Sequence, residues 1–210
     1  MKKIYVALVF QFSLITEAIP LNLMLNNRLD LDHAIYFCTV IFLNLIFLFY
    51  ANSVLISVQS KRFNKVTAIK VVGLFVSIIS IQVVFSLLNN YMYHETVSNS
   101  SVRIGQTLQA GHSTIVIAFI LLVIYAPIVE TLLFQGLPQL MFNPNRQIIF
   151  SLSTSVVFAL LHLPNNPVVF FEYLLSGYLL QYFALSKENG ISSVIIVHAL
   201  LNALSFVSFI

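Results

Sequence analysis

Charge is scarce in this chain of 210 residues: Asp, Glu, Lys and Arg make up 8%. A soluble domain carries about 25%, so a soluble globular fold is excluded. Tryptophan is absent, which leaves Tyr, Lys and Arg as the side chains able to anchor helix ends at a membrane interface. There is a single cysteine, Cys38, so no internal disulfide can form and the thiol count says nothing of redox compartment. Internal repeats, low-complexity tracts and a glycine-rich phosphate loop are also missing. The N-terminal Met1-Lys2-Lys3 and its apolar sequel lack a small-x-small cleavage site, so residues to about Leu25 are read as a retained first helix and not a signal peptide.

What is present is apolar residue in quantity, 59% of the chain, with Phe alone at 19. Runs long enough to span a bilayer, about 20 residues each, fall at 4–25, 34–58, 67–88, 113–140, 148–163, 167–185 and 191–210. The fold class expected is all-α: a polytopic membrane helix bundle of about seven (six to eight) transmembrane helices. The fifth and sixth runs are short and suit tilted or broken helices. Lys2, Lys3, Lys61, Arg62, Lys65, Lys70, Arg146 and Lys187 share one side if the N-terminus is cytoplasmic, and only Arg28 and Arg103 lie opposite. This eight-to-two bias predicts a multi-pass cell-membrane protein with the N-terminus inside and the C-terminus outside. The net charge of +3 is dispersed over loops and reads as topology, not as a nucleic-acid surface.

The longest polar stretch, Asn89–Ser113, divides the chain into an N-terminal part (1–112) and a C-terminal four-helix core (113–210). The Asn99-Ser100-Ser101 sequon within it reads as chance. Three ionisable side chains of the core, Glu130, His162 and His198, lie in successive apolar runs. Ionisable groups within spanning segments are costly and therefore rare without a task. Pro127, three residues before Glu130, removes a backbone donor and kinks its helix. Phe158 and His162 share a helix face at i and i+4, as do His198 and Asn202. Taken singly, each segment fits interhelical hydrogen bonding of about 1 kcal/mol or less. Taken together they suggest one polar site. A carboxylate with an imidazole can activate water, and His with Asn can donate to an oxyanion. Glu with two His could instead hold a divalent metal such as zinc. The residue types alone leave both open. Glu17 and Glu172 are read as structural or interfacial acids.

The ordered segments Pro127-Ile128-Val129-Glu130-Thr131…Gln135-Gly136, Phe158…His162 and His198…Asn202 resemble the motifs of the CPBP family. These are the CAAX-protease and bacteriocin-processing (Abi) intramembrane proteases. Their motifs read Glu-Glu-x-x-x-Arg, Phe-x-x-x-His and His-x-x-x-Asn. The resemblance covers residues 113–210 and implies an intramembrane endopeptidase. In it Glu130 and His162 activate water while His198 and Asn202 stabilise the oxyanion. Thr131, Phe134, Gln135 and Phe158 support them, and no metal or other cofactor takes part. The partners implied are the lipid bilayer and a peptide or protein substrate, with bacteriocin maturation or self-immunity as the setting. The chain departs from the pattern at Thr131 and Gln135, where the family has Glu and Arg. One charge of each sign is lost together, so the charge balance is kept.

Two alternatives stand beside this reading: a catalytically inactive member acting as a membrane immunity or partner-binding protein, and a transporter relaying protons through Glu130, Glu17 and the histidines. The transporter would call for inverted repeats, which the sequence does not show. At 1.5 Å per residue, Glu130 and His198 sit about 15 and 10 Å from the cytoplasmic helix ends, but His162 about 20 Å. A shared site therefore requires a tilted or late-starting fifth helix.

Overall fold

A computed structural model of the chain describes residues 42, 65–95, 112–136, 139, 147–185 and 190–208. All regular structure among the described residues is helical. The first two expected spans, Cys38, Glu17 and the Asn99 sequon lie outside the described residues, as do most of the basic residues that set the topology.

Helix α1 (Lys65–Tyr93) is the longest among the described residues, about 43 Å at 1.5 Å per residue, and so outspans the hydrocarbon core. Val71, Leu74 and Ile78 form a buried stripe at helical spacing, while Val72, Val76, Val83, Val84 and Leu87 are exposed. An apolar outer face on so long a helix suits lipid. The hydroxyls of Ser77 and Ser80 on this exposed surface donate to the carbonyls of Gly73 and Val76 four residues back, at 2.8 and 2.9 Å. This is how a hydroxyl is satisfied where lipid offers no partner.

Helix α2 (112–136) is composite. It begins as an α-helix (His112–Phe119), passes through a π-helical turn (Ile120–Tyr125), returns to α (Ala126–Glu130) and ends in a second π-helical turn (Thr131–Gly136). Helices α3 (Gln147–Leu161), α4 (Pro167–Leu185) and α5 (Ile191–Val207) complete the core. Of these elements, α1 from Ala68 and the whole of α4 are long and apolar enough to cross a membrane, whereas α3 and α5 are shorter apolar helices. The expected boundaries hold for α4 and shift slightly elsewhere. Helix α3 stops at Leu161, so His162 lies in the turn that follows and not within the span.

Helix α4 is the packing hub, in contact with α3, α1, α5 and the second π-turn of α2, while α5 packs on both π-turns and on α1. At one end of the bundle a polar cluster ties α1 to the α3–α4 turn. Asn166 caps α4: its Oδ1 accepts the Val169 N–H at 3.1 Å, with Pro167 opening the helix. The Asn166 amide donates to Asn89 Oδ1 (2.7 Å) and Glu95 Oε2 (3.3 Å). Asn165 also donates to Glu95 Oε2, and Asn89 donates to the Glu95 carbonyl at 2.9 Å. Replacing Asn166 by Ala removes cap and cross-ties together and is expected to cost about 1–2 kcal/mol in thermal unfolding in detergent. Asn166→Asp, which keeps the cap but donates to neither Asn89 nor Glu95, is expected to recover only part of that loss.

Candidate active site between helices α2, α3 and α5

The two π-turns place the site. In the first, the register slips to i−5: the Ala126 N–H bonds the Leu121 carbonyl. The next donor in that register would be residue 127, bonding Leu122. Residue 127 is proline and has no N–H. The Leu122 carbonyl therefore needs another donor, and Asn202 of α5 supplies it, Nδ2 to O at 2.8 Å. A carbonyl left unpaired in an apolar interior costs about 1–3 kcal/mol, so this bond explains why an amide sits on α5 at this level. Pro127→Ala restores the missing donor. In a double-mutant cycle read by thermal unfolding, Asn202→Ala is expected to cost about 1–3 kcal/mol with Pro127 present and markedly less in the Pro127→Ala background.

Four residues from Asn202 towards the start of α5, His198 is buried and touches two consecutive residues of α2. Its Nε2 lies 3.5 Å from Glu130 Oε2, and its Nδ1 lies 3.3 Å from Thr131 Oγ1. Glu130 keeps 18% of its side chain exposed, against 5% for His198, while the Oε2 that faces the imidazole is buried. Thr131 and Gln135 are fully enclosed, at 0% and 1%. Where the family motif would place an ion pair at these positions, Thr131 bonds His198 instead, and the Gln135 Oε1 meets no hydrogen-bond partner among the described residues.

His162 reaches the site from the α3–α4 turn. Its Nδ1 lies 2.8 Å from the Phe158 carbonyl. A carbonyl oxygen only accepts, so Nδ1 carries the proton and Nε2 of the neutral ring holds a lone pair. The ring stacks on Tyr173 of α4 (centroids 4.2 Å apart, 28°) and leans on Phe158 at 4.4 Å. Phe158 lies between the two imidazoles, with His198 at 6.0 Å, and Phe134 meets its edge at 5.6 Å. The charges of His162 and His198, when present, oppose each other. His162 belongs to the turn after α3 and folds back over its own helix, against Phe158. Tyr173 and the Leu122 carbonyl are site groups that the sequence does not single out. Glu172, beside Tyr173, is half-buried on α4.

Among the described residues, no group of three His, Cys, Asp or Glu side chains is placed to hold a metal ion. The arrangement comprises one carboxyl, one imidazole with a bare nitrogen, one imidazole bonded to Thr131 on one side and facing the carboxyl at 3.5 Å on the other, and one amide donor.

No curated protein and no solved structure matched the chain. The family model described as type II CAAX prenyl endopeptidase Rce1-like matches residues 112–204, a stretch that opens at the first residue of α2 and includes Glu130, His162, His198 and Asn202. Motifs and match coincide, and over residues 112–204 the chain is similar to this family of membrane-embedded CAAX-type proteases.

Proposed function

We propose that the protein is an intramembrane endopeptidase that hydrolyses a peptide bond with water activated by Glu130 and His162. The observation that carries this reading is the Glu130–His198 contact at 3.5 Å within a buried polar site. In the reaction, a water near Glu130 gives up a proton as its oxygen bonds to the scissile carbonyl carbon. Nε2 of His162, bare because Nδ1 is engaged with Phe158, shares that proton. The Nε2–H of His198 and the second amide hydrogen of Asn202, beyond the one bonded to Leu122, donate to the tetrahedral oxyanion. The C–N bond then breaks and the proton passes to the leaving amine. The proposed steps route through no metal or other cofactor.

The substrate proposed is a membrane-associated peptide, in bacteriocin maturation or self-immunity, and the topology proposed keeps the N-terminus cytoplasmic in the cell membrane. Glu130→Ala and His162→Ala, expressed in cells, are each expected to abolish processing or immunity. Retention of the phenotype by both would dismiss catalysis. One observation favours a second reading, a non-catalytic immunity or partner-binding protein: Asn202 already serves the Leu122 carbonyl, a structural duty that would persist without chemistry. That reading expects the phenotype to survive loss of Glu130.

A further inference from the structure

The hydroxyl of Thr131 has a partner that its place in a helix does not demand. A threonine inside a helix usually returns its hydroxyl to a carbonyl one turn back, as Thr154 does to Phe150 at 2.9 Å. Thr131 instead meets His198 Nδ1 at 3.3 Å, on another helix. Both side chains are buried, at 0% and 4%. The opposite ring nitrogen faces Glu130 Oε2 at 3.5 Å.

These two neighbours do not act alike. A carboxylate accepts hydrogen bonds and does not donate, whereas a hydroxyl can do either. A bare Nε2 facing a carboxylate would set lone pair against negative charge. An Nε2–H facing it is attracted, and then Nδ1 of the neutral ring is bare and needs a donor. The Thr131 hydroxyl is that donor. We infer that Thr131 is a positioning residue that fixes His198 as the neutral Nε2–H tautomer, aiming its single N–H into the site beside Glu130. His162 holds the opposite tautomer, with Nδ1–H committed to the Phe158 carbonyl. The two imidazoles are thereby made unequal: His162 offers a lone pair, and His198 offers a hydrogen.

The tautomer assignment stands on this geometry and on an ionised Glu130. Its consequence for rate rests on the proposed peptidase reading, and two readouts separate them. The first is the nitrogen spectrum of the full chain, labelled with nitrogen-15 at histidine and held in lipid nanodiscs at neutral pH. The His198 signals are identified by their loss in His198→Gln. The expected wild-type spectrum shows a neutral His198 ring with Nε2 protonated and Nδ1 bare. Thr131→Val, close to isosteric, is expected to lower the ratio of that form to all others by about 5-fold, as loss of one hydrogen bond allows. Thr131→Ser is expected to restore it. A wild-type ring protonated at Nδ1, or at both nitrogens, overturns the inference, as does a Thr131→Val spectrum identical to wild type. Unchanged signals from the other histidines in each variant show that the fold is kept.

The second readout is peptide hydrolysis. Thr131→Val is expected to lower kcat about 5-fold with KM unchanged, the same single hydrogen bond being lost. If the tautomer shifts as expected but no variant, wild type included, cleaves any peptide, the peptidase reading fails while the role of Thr131 stands. If wild type cleaves and the spectrum ignores Thr131, the reverse holds.

Discussion

Glu130→Gln is expected to lower peptide hydrolysis by roughly 10²–10⁴-fold, the range spanned by loss of a general base, with little change in stability. The two effects separate because Gln keeps the shape of the side chain and an oxygen that can still accept from His198 Nε2, now 3.5 Å from the carboxyl. Interhelical polar contacts in membranes contribute about 1 kcal/mol or less, so the unfolding temperature should move by only a few degrees. What Gln cannot do is take a proton from water. Initial rates of cleavage of lipidated and unmodified peptides by purified protein in nanodiscs, with a thermal melt of each variant, check both halves of the expectation.

The second large effect is steric, and it acts from a distance. A Cβ added at Gly177 of α4 would lie 2.9 Å from Cδ1 of Phe158. Phe158 cannot readily retreat: it is 3% exposed and is bounded by Phe134, His162 and His198. Gly177→Val is therefore expected to destabilise the bundle by about 1–3 kcal/mol, as overpacking does. It should also depress activity further than the stability loss explains, because the ring that moves is the one between both imidazoles. Gly177→Ala should show the same effects in smaller measure, and Phe158→Leu in that background should recover stability without recovering activity. Thermal unfolding and initial rates on the four proteins test this, and recovery of both by Phe158→Leu would show that Phe158 does not position the histidines.

The distribution of apolar residues announces a helical membrane bundle, and the bounds of α4 follow the sequence directly, because Asn166-Pro167 writes a cap and a first helical residue into the chain. The motif residues also announce a neighbourhood, since ionisable groups in apolar helices must find one another or remain unpaired. Three features are not legible. The π-turns depend on where the register slips, and Pro127 signals a missing donor without saying which carbonyl it strands. Once the i−5 register is known, Leu122 and hence Asn202 follow. Tyr173 stacks on His162 because α4 is rotated to set Gly177 against Phe158, and rotation about a helix axis is settled by packing that an apolar run does not encode. The apolar run also carries His162 into a helix, whereas the left-handed turn at Leu163, φ 51°, closes α3 before it and turns the imidazole back towards Phe158.

Hydrolysis by a water held at Glu130 leaves an isotopic trace. Peptide cleavage by the purified full chain in water enriched in oxygen-18, followed by mass spectrometry of the fragments, reads that trace. Wild-type protein is expected to place one oxygen-18 in the new C-terminal carboxyl of the product, and Glu130→Gln is expected to lose that product. Cleavage by Glu130→Gln at the wild-type rate would contradict a water held and activated there.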